Sequence, residues 1–148
     1  MTSTADHAIV VQHLVKSYGE KRAVDDLSFS VRRGEIFALL GPNGAGKTTT
    51  VEILEGYRAP DAGTVRVLGL DPQHDAAQLK QRIGVMLQQG GIYPTVTASE
   101  LLHLFRHFYR DPEDPEKLID LVGLRESAHV RYRQLSGGQQ RRLALAAA

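Results

Sequence analysis

Three segments near the start of the chain carry the apolar patterns of β-strands. Residues 9–11 form a short apolar run, and apolar side chains recur mostly at every second position over residues 24–31, the spacing of a half-buried strand. Residues 36–40 are apolar at every position, which favours a central strand covered on both faces, as in parallel α/β sheets. A glycine-rich stretch follows at once, so this strand is expected to run directly into a loop.

The stretch after this loop alternates between helical and extended patterns. Residues 47–55 are good helix formers, and Gly56 is placed to end their helix. A short strand is expected at 64–68, a helix at 76–82 and an extended segment at 83–87. Strand, loop and helix follow one another in the order of an α/β protein.

The second half of the chain changes to helical patterns. Thr97 and Glu100 have the T-x-x-E spacing of a capping box. Leu101, Phe105 and Phe108 fall on one face of the helix that this box would begin. An amphipathic helix is therefore expected here.

A further short helix is expected to begin at the pair Asp114-Pro115, because proline is favourable at the first helical position. Gly123 is placed to end this helix. No internal repeat and no low-complexity linker divides the sequence. Residues 1–148 are therefore expected to be one domain or part of one.

Composition narrows the possible functions only slightly. The chain has 148 residues, of which 42% are hydrophobic and 24% charged, close to the averages for soluble globular proteins. The net charge of +1 comes from 18 basic and 17 acidic residues without a basic block, so nucleic acid is not an expected partner. No apolar run approaches the roughly 18 residues of a membrane-spanning helix, and the first residues lack the features of a signal peptide.

The glycine-rich stretch matches a phosphate-binding loop. It fits the pattern G-x-x-x-x-G-K-[ST] at every position and lies between an apolar run and a predicted helix, the context that the motif requires. A plain glycine-rich turn is the alternative, but pattern and context together favour nucleotide binding. The residues of this loop are Gly41, Pro42, Asn43, Gly44, Ala45, Gly46, Lys47 and Thr48.

Each residue type in this loop has a role in binding phosphate. The glycines let the backbone wrap a phosphate chain at close range, so that successive N–H groups and the positive end of the helix dipole face the anion. Lys47 adds a full charge at the β- and γ-phosphates, Thr48 can offer its hydroxyl to Mg²⁺, and Thr49 can reach the α-phosphate. The expected cofactors are therefore ATP and Mg²⁺.

A second motif, LSGGQ, begins at Leu135 and is followed by the sequence QRR. Ser136 and Gln139 have the spacing of a capping box, and a helix is expected over residues 141–148. A helix N-terminus with a serine and two glycines, here Gly137 and Gly138, is itself a site for an anion, so capping and binding are compatible. With the phosphate loop upstream, the sequence resembles the ATP-binding-cassette (ABC) ATPases.

This resemblance covers residues 9–148 and implies both a fold and an assembly. The implied fold is the α/β P-loop NTPase fold of the ABC ATPase type, a mixed sheet with helices and a helical subdomain at about residues 92–135. In the family, the signature residues Ser136, Gly137, Gly138 and Gln139 would close on the γ-phosphate of ATP held by a second ATPase subunit, in a head-to-tail dimer.

The resemblance also implies a membrane partner. The helical subdomain of the family docks on a transmembrane permease subunit, so the chain is expected to be cytoplasmic and peripheral on the inner face of the cell membrane. Residues 52–72 and 93–97 look most like the ATPases of bacterial drug and antibiotic exporters, which implies export of such a substrate.

Two single residues resemble functional positions of the family by their order along the chain. Tyr18 resembles the aromatic residue that stacks on adenine, and the alternative is an ordinary surface tyrosine. Gln88 resembles the Q-loop glutamine that contacts Mg²⁺ and the attacking water, the alternative being a polar loop tip. Gln89 lies beside it, which leaves that assignment open by one residue.

One part of the family pattern has no match in these residues. ABC ATPases carry a Walker B strand, four apolar residues followed by Asp-Glu, soon after the signature helix and before a switch histidine, whereas the 148 residues contain no Asp-Glu pair. The fold is therefore expected to be incomplete at the C-terminus, and ATP hydrolysis by these residues alone is not expected. The alternatives to a transport ATPase are a non-catalytic remnant that at most binds nucleotide and an ABC protein of translation or DNA repair.

Overall fold

Residues 6–86 and 91–148, which the computed structural model describes, are divided between two units along the chain. The first unit, Met1–Arg82, contains the sheet and two helices, and the second unit, Ile83–Ala148, is helical. In the described residues, no helix has the length and apolar character needed to cross a bilayer.

The sheet of the first unit has three antiparallel strands in the order β2-β1-β3. These are β1 (His7–Tyr18), β2 (Lys21–Arg32) and β3 (Ala62–Val67). The two-residue turn between β1 and β2 has its glycine, Gly19, at a φ of 57°, a conformation that glycine adopts without steric cost. The strands predicted at residues 9–11 and 24–31 are confirmed as parts of β1 and β2, and β3 begins two residues before its predicted start.

Two short helices contribute buried side chains to this unit. Helix α1 (Lys47–Leu54) contributes Ile53, and helix α2 (Ala76–Lys80) contributes Leu79. Gly56 lies just beyond α1 at a φ of 78°, so the predicted helix end is confirmed. The buried apolar side chains of this unit are Val11, Leu14, Val24, Val31, Ile53, Val65, Val67 and Leu79.

Residues 36–40, which the sequence predicts as the central strand, form no strand. The central position belongs to β1, and none of the described strands pairs with this segment. Ile36 is 100% exposed and Leu40 86%, while Phe37 stacks on Phe29 with the ring centroids 5.2 Å apart. A strand needs a neighbouring backbone to satisfy its N–H and C=O groups. An apolar run without such a neighbour does not form a strand, and the prediction was wrong here.

The extended segment predicted at 83–87 is also absent in its described part, because residues 83–86 have no regular structure. Leu87 lies outside the described residues. The helix predicted at 76–82 is confirmed in its first part only, since α2 ends at Lys80.

The second unit contains three helices whose ends are stabilised by the predicted caps. They are α3 (Ala98–Phe105), α4 (Pro115–Leu121) and α5 (Gly137–Ala146). The hydroxyl of Thr97 accepts from the backbone N–H of Glu100 at 3.2 Å, and the Glu100 carboxylate accepts from the N–H of Thr97 at 2.8 Å. The bonds that the Glu100 carboxylate accepts from the N–H and the hydroxyl of Thr97 hold the pKa of this carboxyl below its ordinary value. The predicted capping box is confirmed.

Helix α4 begins and ends where the sequence predicts. The carboxylate of Asp114 accepts from the N–H of Glu116 at 3.1 Å, and Pro115 occupies the first helical position. Gly123 follows the helix at a φ of 63°.

Phe108 does not join the buried face of α3. The helix ends at Phe105 and continues as a short 3-10 turn, Arg106–Phe108, which changes the direction of the side chains. Phe108 is 66% exposed and packs edge-on against Phe105. The core of this unit consists of Ala98, Leu101, Leu102, Ile119, Leu124, Ala128, Leu135 and Leu143.

Candidate nucleotide-binding site

Residues 41–46 form an irregular loop that leads into α1, and two of their glycines have backbone conformations that favour glycine. Gly44 has a φ of 85° and Gly46 a φ of 79°. A Cβ atom on Gly46 would lie 2.2 Å from the carbonyl oxygen of Ala23 and 3.0 Å from a side-chain methyl of Val24. The loop therefore lies directly against β2, and only glycine fits at this point.

The ammonium of Lys47 lies within the loop. Its Nζ donates to the carbonyl oxygens of Gly41 at 2.6 Å and Pro42 at 2.7 Å. The N–H of Ala45 donates to the same Pro42 oxygen at 3.2 Å. The loop thus curves around a positive charge at the N-terminus of α1.

The first turn of α1 supplies further groups for an anion. It contains no acidic residue and has no side-chain cap, so its N–H groups and the positive end of the helix dipole are not neutralised within this turn. Thr48 is exposed and Thr49 half-buried. Thr50, which the sequence reasoning missed, is buried and its hydroxyl donates to the carbonyl of Gly46 at 3.0 Å. This bond fastens the end of the loop to the helix.

Tyr18 lies at the end of β1 close to this loop. It pairs with Lys21 on β2, which is two residues before Ala23, the neighbour of Gly46. At about 3.3 Å per strand residue, the separation along β2 is about 7 Å. Tyr18 is 42% exposed. The first unit therefore holds an accessible aromatic residue on the strand paired with β2, the strand that the phosphate loop contacts.

Arg58 contacts Tyr18, and the sequence analysis did not identify it. Its guanidinium carbon lies 5.2 Å from the ring centroid, within the range of a cation–π interaction. Its Nε donates to the carboxylate of Glu52 at 2.7 Å. The contact joins residues far apart in the chain, so no local sequence pattern predicts it. Only the residue types, an arginine and a tyrosine within one predicted unit, could have suggested it.

The signature motif lies in the second unit, at the N-terminus of α5. Ser136 is the cap: its hydroxyl accepts from the N–H of Gln139 at 3.2 Å, and the Gln139 side chain accepts from the N–H of Ser136 at 2.8 Å. The predicted capping box is confirmed, and the helix begins at Gly137, earlier than the predicted start at residue 141.

No described residue packs against Gly137 or Gly138 in a way that requires glycine. Both are exposed, and apart from the adjacent residues and the backbone of α5 itself, a Cβ atom on either one would meet no described atom within 4 Å. Their φ angles are not in the left-handed region either. Small residues at these positions therefore leave the helix N-terminus open to close approach from outside the chain.

The two candidate Q-loop residues, Gln88 and Gln89, lie outside the described residues. The phosphate loop and Tyr18 belong to the first unit, whereas Ser136, Gly137, Gly138 and Gln139 belong to the second.

Comparison with known proteins gives one consistent family. The sequence profile of the family described as "ABC transporter" matches residues 24–148. The chain is 43% identical over 141 residues to the Nod factor export ATP-binding protein I of Ralstonia nicotianae, covering 92% of this chain and 44% of that protein. It is 38% identical over 142 residues to the linearmycin resistance ATP-binding protein LnrL of Bacillus subtilis, covering 93% of this chain and 46% of that protein. The chain thus spans less than half the length of these relatives.

Solved structures share the fold. An ATP-binding subunit of an ABC transporter superposes with a TM-score of 0.83 at 24% identity, covering 95% of this chain and 61% of that one. CbiO1 of Clostridium perfringens, part of the ABC transporter complex cbiONQ, superposes with a TM-score of 0.81 at 24% identity, covering 96% and 61%. The α/β fold of the ABC ATPase type is therefore confirmed, and the chain covers part of it.

Proposed function

Because the chain belongs to the ABC transporter family, to whose profile residues 24–148 match, we propose that it is the ATP-binding part of an exporter's ATPase subunit. The observation that carries this proposal is the Lys47 ammonium enclosed by its own loop at the start of α1. A cation, two left-handed glycines and a helix N-terminus without acidic residues together form a site for a phosphate chain.

In the proposed binding reaction, ATP enters this loop with its phosphates along the backbone N–H groups of residues 41–49. Lys47 exchanges the carbonyls of Gly41 and Pro42 for oxygens of the β- and γ-phosphates, which are stronger acceptors because they are charged. Thr49 binds the α-phosphate, and adenine stacks on the accessible ring of Tyr18.

The site also fits Mg²⁺. Thr48 is an exposed hydroxyl beside Lys47 at the first turn of α1, and hydroxyl oxygens are ligands that this hard cation accepts. We propose that Thr48 and the Q-loop residue expected from the sequence, Gln88, would hold the ion, which would neutralise charge on the phosphates.

The signature residues complete the site in a second copy of the subunit. Ser136 presents a hydroxyl and α5 presents its N-terminal N–H groups, while Gly137 and Gly138 keep that end free of side chains. The γ-phosphate of ATP bound to one subunit docks at this end of the partner, which gives a head-to-tail dimer with two ATP molecules.

Export of a drug-like or antibiotic compound is the transport reaction we propose. Two relatives are named for export of Nod factor and for resistance to linearmycin, and these names support export as the direction of transport. A separate transmembrane permease would form the pathway, with this subunit on the cytoplasmic face of the membrane.

A second candidate is a protein that binds nucleotide without hydrolysing it. Hydrolysis requires carboxylates to hold Mg²⁺ through water and to orient the attacking water, and residues 1–148 contain no Asp-Glu pair that would supply them. These residues would then bind nucleotide without driving transport.

Deletion of the gene separates the two candidates. If the protein powers export, cells without it become more sensitive to at least one member of a panel of antibiotics, and the wild-type gene on a plasmid restores growth. A growth panel unchanged by deletion, with ATP still bound by the purified protein, would support nucleotide binding without transport and overturn the exporter proposal.

A further inference from the structure

Two cations lie near the ring of Tyr18, and each of them is bonded to a carboxylate. The Cζ atom of Arg58 lies 5.2 Å from the ring centroid, and the Nζ atom of Lys16 lies 5.9 Å from it. Arg58 donates to Glu52 at 2.7 Å, and Lys16 donates to Asp61 at 2.6 Å. Neither cation is therefore a freely moving side chain at this ring.

The pKa values of these groups reflect the same bonds. The hydrogen bond to Glu52 is the main cause that raises the pKa of Arg58, and the bond from Lys16 is the main cause that lowers the pKa of Asp61. Asp61 also accepts from the backbone N–H of Ser17 at 2.7 Å. Asp61, the residue just before β3, is thus bonded to two residues of β1, the strand that carries Tyr18.

The pair of Arg58 and Glu52 connects the ring to α1. Glu52 belongs to α1, the helix whose N-terminus carries Lys47 and the phosphate loop. Arg58 thus connects the Tyr18 ring to the helix that would hold the phosphates. A guanidinium suits this connection because its flat face stacks on an aromatic ring while its N–H groups bond a carboxylate.

We propose that Arg58, held by Glu52, is a positioning residue that fixes the Tyr18 ring relative to α1 and the phosphate loop at its N-terminus. This inference rests on the proposed function, in which Tyr18 stacks on adenine. Arg58 acts only through Tyr18, so it strengthens binding of the base and leaves binding of the phosphates unchanged.

Two ligands separate these effects. Isothermal titration of the protein is carried out with a non-hydrolysable ATP analogue, AMP-PNP, and with inorganic tripolyphosphate, each with Mg²⁺. Arg58→Met keeps the length of the side chain and removes its charge. We expect about 3- to 5-fold weaker binding of AMP-PNP, the range of a cation–π contact at an exposed site, and unchanged binding of tripolyphosphate.

Matched variants control for the fold. Arg66→Met removes a guanidinium from a comparable ion pair with Asp71 in the same unit and should change neither affinity. Glu52→Gln keeps Arg58 but weakens its anchor, and serves as the second variant if Arg58→Met does not fold. In a Tyr18→Ala background, Arg58→Met should cause no further loss.

Each other outcome contradicts a definite part of the account. Equal losses for AMP-PNP and tripolyphosphate would show that Arg58 acts on the phosphates or on the fold, and a further loss in the Tyr18→Ala background would show that it acts without the ring. If Tyr18→Ala weakens AMP-PNP binding but neither Arg58→Met nor Glu52→Gln does, the inference is wrong while the proposed function stands. If Tyr18→Ala and Lys47→Ala both leave AMP-PNP binding unchanged, the proposed function itself is wrong.

Discussion

Replacement of Lys47 by alanine is expected to weaken ATP binding about 10- to 100-fold and to abolish ATP-dependent transport. The magnitude follows from the loss of hydrogen bonds between an ammonium and charged phosphate oxygens, which contribute about 1.5 to 3 kcal/mol. The same change also removes the bonds from Nζ to the carbonyls of Gly41 and Pro42. Isothermal titration with MgATP measures the first effect, and antibiotic resistance of complemented cells measures the second.

Lys80→Ala is the matched control for this experiment. Lys80 is an exposed lysine of α2 in the same unit, with its ammonium over the ring of Tyr57, so its replacement changes the net charge by the same amount on a different helix. ATP affinity and resistance should both remain at the wild-type level. Wild-type ATP affinity and wild-type resistance in the Lys47→Ala protein would show that the loop is not the nucleotide site.

Replacement of Ser136 by arginine is expected to prevent ATP-driven dimerisation while ATP binding to the monomer is nearly unchanged. The signature end of α5 is exposed and carries no side chain at Gly137 or Gly138. An arginine at the cap fills the space where the γ-phosphate of the partner's ATP must dock. Light scattering with MgAMP-PNP should show a dimer for the wild-type protein and only monomer for the variant.

Ser136→Ala separates this steric effect from the loss of the cap. Ser136 accepts from Gln139 N–H in the capping box, and loss of such a cap costs about 1 kcal/mol of stability. The alanine variant therefore loses the same cap without adding bulk, so it should melt at a lower temperature and still dimerise. An ATP-dependent dimer of the Ser136→Arg protein would count against the signature site.

The features that could be predicted from the sequence are those fixed by neighbouring residues. The loop between residues 41 and 46, the capping boxes at Thr97 and Ser136 and the helix end at Gly56 each depend on a few consecutive positions. Their geometry follows from local hydrogen bonds and from the conformational freedom of glycine. The structure accordingly places these features at the predicted positions.

The features that could not be predicted depend on residues far away in the chain. Residues 36–40 have the apolar pattern of a central strand, but whether they form one depends on a neighbouring strand, and none of the described strands pairs with them. The contact between Tyr18 and Arg58 requires β1 and the segment after α1 to come together in space. Phe108 was misplaced because the turn from helix to 3-10 geometry leaves no clear mark in the apolar pattern.

Amide hydrogen exchange is the most direct test of the central claim, that ATP binds at residues 41–49. The N–H groups of this loop face an anion in the proposed complex and would exchange slowly once they donate to phosphate oxygens. Saturating MgATP should therefore slow exchange in peptides that cover residues 41–49 in the wild-type protein and much less in the Lys47→Ala variant. Exchange in these peptides that stays unchanged when titration shows ATP to be bound would contradict the account.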